Sequence, residues 1–308
     1  MSLEVQETID NYLKYQQNVE SSAPLTLKAY ALDLKQAFLY ENNLSFDKNK
    51  QISDYEELWN LARPALIRWG SLSLASRNRK IAALKSFFNW LFKENLIDKN
   101  FAEQLVCPKV PKKIPNFLSV DEVLSILDYF KKQVVHNASL GIVKKNLLRD
   151  KTLFLLLYGG GLRVSEACTL RWKQIQFAEK RILIKGKGGK ERFCILPEYS
   201  LETLKNFHAL NPESEFVFGE GGLNTRTGYE MIRSLGKKVG LMNPLHPHAL
   251  RHSFATHLLA SGANLRTLQA LLGHDSLQAT EKYTHLSVDH LARLMDQTHP
   301  LTRLKFKG

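Results

Sequence analysis

The chain has few of the groups that hold small secreted or metal-bound folds together. Only three cysteines, Cys107, Cys168 and Cys194, occur in 308 residues, widely spaced and without a CxxC pair. An odd, scattered set excludes a disulfide framework and argues against a structural zinc; free thiols fit a reducing cytoplasm. No apolar run approaches the roughly 18 residues of a membrane span. The opening, MSLEVQETID, is acidic and polar and does not read as a secretory signal. A cytoplasmic protein with no membrane partner is therefore expected. No repeat at a fixed period and no low-complexity tract is present. What remains is the composition of a globular protein, 44% hydrophobic and 24% charged, with a length that suits one or two domains.

Acidic residues are scarce where basic ones gather. Residues 1–106 carry 13 Lys and Arg against 13 Asp and Glu, while residues 107–308 carry 30 against 17, so the whole formal charge of +13 lies in the second part. A basic half of this size suits a polyanion, of which nucleic acid is the common case; a merely soluble basic surface is the alternative.

Residues 1–106 read as helices. TLKAYALDLKQAFLY predicts a helix capped at Thr26, with Leu27, Tyr30, Leu34 and Phe38 on one face. SRNRKIAALKSFFNWLFKENLI predicts another from Ser76, with Ile81, Leu84, Phe88 and Leu91 inward and Arg77, Arg79 and Lys80 in its first turns. That basic end either meets phosphates or is a solvated face. CPKVPKKIPNF then holds three prolines (Pro108, Pro111, Pro115) among lysines. Such spacing blocks helix and central strand alike and reads as an extended basic linker, 108–117. A new helix starts at Ser119, where Ser119 and Glu122 have capping-box spacing. DKTLFLLLYGGGLRVSEACTL predicts a buried helix ended by Gly159–Gly161, a turn holding Arg163, then a second helix. RILIKGKGGKERFCILP predicts a hairpin, two β-type runs around a glycine-rich turn. The second domain is expected to be helical with a small antiparallel sheet.

Three chemistries compete for the histidine-dense stretch HALRHSFATH, His248 to His257. A metal site would need ligands, yet between Arg226 and Asp275 the only acidic residue is Glu230, the position after His248 is Ala249 rather than the Glu of HExxH, and Arg251 stands between His248 and His252. No metal is expected. The GKGGK turn is not a nucleotide P-loop, since Lys190 is followed by Glu191 and a strand. Its lysines are a solvated turn or a probe reaching into a groove. Phosphate chemistry fits better. Arginine pairs two phosphate oxygens with one planar, permanently charged fork; Tyr283 could supply a nucleophile and Lys187 an acid. Taken singly, a helix tyrosine is usually packing and an arginine three after a histidine usually a surface pair.

In order along the chain stand GLRVSEACTLRW, GKGGKERFCILP, HPHALRHSFATHLLASGANLRTLQALLGH and ATEKYTH. Together they closely resemble the signature of the tyrosine site-specific recombinases, the phage-integrase family, and within it the Xer recombinases, over about Leu118 to Pro300. The first domain resembles the family's core-binding domain more loosely, through Thr26, Tyr30 and SRNRKIAALKSFFNWL. The ending YTHLSVDHLARLMDQTHP looks most like the XerC branch. The resemblance implies a mainly α, two-domain fold: a helical core-binding domain, 1–107, a linker, 108–117, and an α+β catalytic domain, 118–308, with a C-terminal tail exchanged between protomers. It implies catalytic roles for Arg163, Lys187, His248, Arg251, His274 and the nucleophile Tyr283, with Lys185 and Lys190 as neighbouring alternatives to Lys187. It leaves His252 and His257 as structural residues, and Arg77, Arg79, Lys80, Lys187 and Arg226 as expected DNA contacts.

The activity implied by the resemblance is strand exchange on a double-stranded recombination site through a 3′-phosphotyrosyl intermediate, without ATP, metal or other cofactor. It also implies a XerD-like partner in a heterotetramer on DNA and an FtsK-like translocase, resolving chromosome or plasmid dimers at cell division. A mobile-element integrase, a type IB topoisomerase-like enzyme and a non-catalytic DNA-binding regulator stand as alternatives.

Overall fold

The computed structural model describes residues 3–20, 22–41, 45–46, 50–109, 111, 117–136, 141–185, 191–210, 212–263, 268, 271–272 and 299–303. The chain divides into two compact units, Met1–Lys113 and Ile114–Gly308.

The first unit is helical. In chain order it holds β1 (Leu3–Glu4), α1 (Val5–Asn18), α2 (Pro24–Phe38), β2 (Tyr40–Glu41), β3 (Ser45–Phe46), β4 (Gln51–Ile52), α3 (Glu57–Arg68) and α4 (Leu74–Lys93). The two-residue strands pair β1 with β4 and β2 with β3, both antiparallel. Two helix starts differ from the sequence reading. α2 begins at Pro24 with Ala23 as its cap, not at Thr26, because proline presets φ and lacks the N–H that a first turn leaves unpaired. α4 is capped by Ser73, whose Oγ accepts from Ser76 N at 3.3 Å, so the helix starts before Ser76. The predicted inner face of α4, Ile81, Leu84, Phe88 and Leu91, is buried. Phe87 meets Tyr12 edge to face, centroids 5.2 Å apart, a favoured arrangement of aromatic quadrupoles.

One basic residue of α4 is not where its sequence suggests. Asp33 of α2 is fully buried and accepts from Lys80 Nζ at 2.9 Å and from Arg79. Lys80 is itself buried, bonds Gln36 and lies over the Trp69 ring, 5.0 Å from its centroid. Lys80 is thus paired internally, as a counter-ion of Asp33. Withdrawing its ammonium to a phosphate would leave the buried Asp33 carboxylate with Arg79 as its one remaining ion-pair partner among the described residues. Arg79 shares Asp33 but keeps its side chain 45% exposed.

The second unit comprises α5 (Val120–His136), α6 (Gly141–Gly159), α7 (Val164–Cys168), β5 (Ile175–Gln176), β6 (Arg181–Lys185), β7 (Glu191–Ile195), α8 (Glu198–His208), α9 (Thr225–Val239) and α10 (Pro247–Ala260). The capping box at α5 is present: Ser119 N donates to Glu122 Oε2 at 2.7 Å and Glu122 N to Ser119 Oγ at 3.1 Å. In α6 the run Leu153–Tyr158 is buried at every position. A helix apolar all round must be covered on all sides, and α5, α7, α8, α9 and α10 pack against it. The sheet order is β5-β6-β7, antiparallel throughout, with Lys185 opposite Glu191 at the end of the hairpin. The architecture is therefore mainly α, a helical first unit and an α+β second unit with a three-stranded sheet.

Several expectations fall outside the described residues: Lys187 and Lys190 in 186–190, His274 and Tyr283 in 273–298, the part of the C-terminal tail up to residue 298, and linker residues 110 and 112–116. Past them, residues 299–303 are seated in the second unit itself. Leu301 is fully buried, and the buried His299 ring lies 5.1 Å from Tyr158 and 5.8 Å from Phe254. No helix among the described residues is long and apolar enough to cross a membrane.

Candidate active site

The three described members of the expected catalytic set come from two places, the turn between α6 and α7 and the start of α10. The turn depends on Gly161. Its φ is +62°, and a Cβ there would stand 2.5 Å from the Phe254 ring of α10, so glycine answers both the left-handed backbone and the close approach. Two residues on, Arg163 caps α7. Its backbone N donates to Glu166 Oε2 at 2.8 Å and its Nη1 to Glu166 Oε1 at 3.0 Å, with the side chain 42% exposed.

Arg251 approaches from α10. It is buried, and its guanidinium donates to the Gly161 carbonyl and, at 2.6 Å, to the Leu272 carbonyl. Burial, and then the nearby charges of Arg163 and Arg192, lower its pKa to about 10, so it is still a cation at neutral pH. Glu166 also accepts from Arg192 of β7 on both oxygens, at 2.9 and 2.7 Å. Burial alone would raise the Glu166 carboxyl, but the bonds from Arg192 and Arg163 outweigh it and hold its pKa below the ordinary carboxylate range. Three guanidinium groups thus stand around one carboxylate. The local excess of positive charge, fixed in place before any ligand arrives, is what an anion requires.

His246, Pro247 and His248 divide the start of α10 between them. His246 Nδ1 accepts from Ala249 N at 3.0 Å and caps the helix, Pro247 takes its first turn, and His248 is exposed. His248 and Arg251 are one helical turn apart. His257, buried, pairs its Nδ1 with the Tyr158 hydroxyl at 2.9 Å, whereas His252 is exposed, its ring 6.0 Å from Phe117. Arg226 is exposed in the first turn of α9, its N–H bonded to the cap Asn224 at 2.8 Å. Among the described residues no group of three or more His, Cys, Asp or Glu is placed to hold a metal ion.

Sequence reasoning missed Glu166, Arg192 and the His246 cap. Glu166 had a signal, since it stands three residues beyond Arg163 on a predicted helix. So did His246, a polar residue directly before a proline at a helix start. Arg192 had none beyond its place on a strand.

Comparison with known proteins gives these residues a context. The phage integrase family matches residues 116–290, and the phage integrase N-terminal SAM-like domain matches residues 9–95. The chain is 31% identical to tyrosine recombinase XerC of Xanthomonas axonopodis pv. citri, covering 97% of this chain and 98% of that one. It is 36% identical to tyrosine recombinase XerC of Oceanobacillus iheyensis, covering 95% of each. Among solved structures it is similar to the XerH site-specific recombinase bound to a palindromic difH substrate in a post-cleavage complex, at 26% identity and a TM-score of 0.61, over 94% of this chain and 84% of that one. With one family spanning more than half of its length and relatives above 30% identity along nearly all of it, the chain belongs to the phage integrase family and is a tyrosine recombinase, an enzyme that cleaves and rejoins DNA.

Proposed function

We propose that this recombinase acts at a specific DNA site as a XerC-type enzyme, with Arg163, Lys187, His248, Arg251, His274 and Tyr283 as its catalytic set. The observation that carries the reading is the cluster of Arg163, Arg192 and Arg251 near Glu166, with more guanidinium groups than carboxylates and Arg251 anchored by two backbone carbonyls. A phosphodiester under attack gains negative charge on its non-bridging oxygens, and donors held ready for that charge lower the barrier without reorganising. In this reading the Tyr283 oxygen attacks the scissile phosphorus and its proton passes to His248. A phenol with an ordinary pKa of about 10 attacks slowly unless so assisted. The P–O5′ bond breaks, and Lys187 gives the leaving oxygen its proton. Arg163, Arg251 and His274 bind the phosphate oxygens throughout. The 3′-phosphotyrosyl bond conserves the energy of the broken one, so a 5′-hydroxyl from another strand can reverse the step without ATP.

Arg77, Arg79, Arg226 and Lys187 are proposed DNA contacts; the buried pairing of Lys80 with Asp33 speaks against adding it to them. The XerC relatives and the resemblance of the C-terminal segment support the finer assignment: a cytoplasmic enzyme paired with a XerD-like recombinase on DNA, governed by an FtsK-like translocase, and converting chromosome or plasmid dimers to monomers.

Trapping on a nicked suicide duplex tests the chemistry. Wild type should form a covalent adduct whose DNA-bearing peptide contains Tyr283, and Tyr283→Phe should bind the duplex equally and form none. An adduct that persists in the phenylalanine variant would assign the nucleophile elsewhere.

A further inference from the structure

Arg192 is largely withdrawn from solvent and tied on every nitrogen. Its side chain is 10% exposed. Both terminal nitrogens are occupied by the two oxygens of Glu166, and its Nε donates to the Leu271 carbonyl at 3.3 Å. The next carbonyl, Leu272, holds Arg251, whose other bond goes to Gly161, two residues before Arg163. The hydrogen bonds close a ring through β7, α7, the glycine turn, α10 and Leu271–Leu272. Among the described residues of this ring, Arg192 alone reaches both the carboxylate under Arg163 and the backbone beside the anchor of Arg251.

The electrostatics of Glu166 give that ring a purpose. A carboxylate with Arg163 as its sole partner would form a neutral pair and draw the Arg163 guanidinium away from an incoming phosphate. A second guanidinium, bidentate on the same carboxylate, compensates the negative charge from behind. Arg163 then keeps one contact for orientation and its net charge for the ligand. Lysine cannot reproduce this, because a single ammonium cannot hold two carboxylate oxygens and a backbone carbonyl in one plane.

We infer that Arg192 is a positioning residue for strand cleavage, neutralising Glu166 so that Arg163 stays available to the scissile phosphate. The inference rests on the proposed role of Arg163. It predicts an effect on the chemical step and little on DNA affinity.

The test is single-turnover cleavage of a nicked suicide duplex at saturating enzyme, with DNA affinity and thermal unfolding measured beside it. Arg192→Met should bind normally and cleave about 100-fold more slowly, and Arg192→Lys about 10-fold more slowly. Glu166→Gln combined with Arg192→Met should recover about 10-fold over Arg192→Met alone, because no carboxylate is left to quench Arg163. A purely structural role would give no such recovery in the cleavage rate of folded protein. If Arg192→Met does not fold, Arg192→Lys and its combination with Glu166→Gln decide the matter, the recovery being read over Arg192→Lys alone. Wild-type cleavage in Arg192→Lys, or no recovery in the double variant, overturns the inference. Arg163→Lys is the control: if it cleaves at wild-type speed, the site reading itself fails, whereas an inactive Arg163→Lys beside a normal Arg192→Lys refutes Arg192 alone.

Discussion

Arg163 and Lys80 show how little a residue's type says about its role without its partners. Both are basic; Arg163 caps a helix and Lys80 lies in the second turn of one. Arg163 shares Glu166 with Arg192 and so keeps charge to offer, whereas Lys80 faces a fully buried Asp33 and is consumed by it. Asp33→Asn should therefore leave Lys80 as a buried cation without a counter-charge, and should destabilise the first unit by about 3–5 kcal/mol in a denaturant titration. A loss below about 1 kcal/mol would mean that Lys80 can swing out to water. His299 supplies a residue-scale prediction in pH. Burial lowers its pKa to about 3 from 6.5, a hydrogen bond at the Tyr158 backbone opposing the shift. The folded chain thus refuses a proton that the unfolded chain accepts. This group's full contribution is present above pH 6.5, declines as pH falls below it, and levels off near pH 3. At pH 5 the loss is on the order of 2 kcal/mol. Unfolding free energies from pH 8 to pH 5 should show this slope in wild type and a shallower one in His299→Phe. Equal slopes would exclude His299 as the source.

Elements are legible in the sequence where a local rule decides them. The capping box at Ser119 and Glu122, the apolar run of α6 and the two β-type runs of the hairpin depend on neighbours a few residues away, and the structure places helix or strand at each. The starts of α2 and α4 differ from their sequence reading because Thr26 and Ser76 compete with better-placed residues, Pro24 and Ser73. The arginine pocket is legible only in part. Arg163 and Arg251 stand in recognisable motifs, but Arg192 meets Glu166 across 26 residues and Arg251 meets Gly161 across 90, and pairings of that kind leave no trace in spacing. The glycine turn joins the two levels. Gly161→Ala would force a left-handed backbone on alanine and drive its Cβ against Phe254. Strain of about 1–3 kcal/mol is expected, together with impaired cleavage, because the displaced carbonyl is an Arg251 acceptor. Thermal unfolding alongside adduct formation measures both, and a fully active, fully stable variant would show that the turn has slack.

At the scale of the whole molecule the charge asymmetry predicts how the protein meets DNA. With the formal +13 confined to residues 107–308, affinity for a duplex should fall steeply with salt, log Kobs against log salt having a slope of about −0.9 per phosphate neutralised. Arg226→Ala should make that slope shallower by about one while weakening all sequences alike; an unchanged slope would remove Arg226 from the interface. The central claim is that a phosphate is seated between arginines whose forks, not merely their charges, are fixed in advance. Single-turnover cleavage by Arg251→Lys at saturating DNA tests it most directly. The account predicts near-normal binding with cleavage slowed on the order of 10²–10³-fold; cleavage at close to the wild-type rate would contradict it.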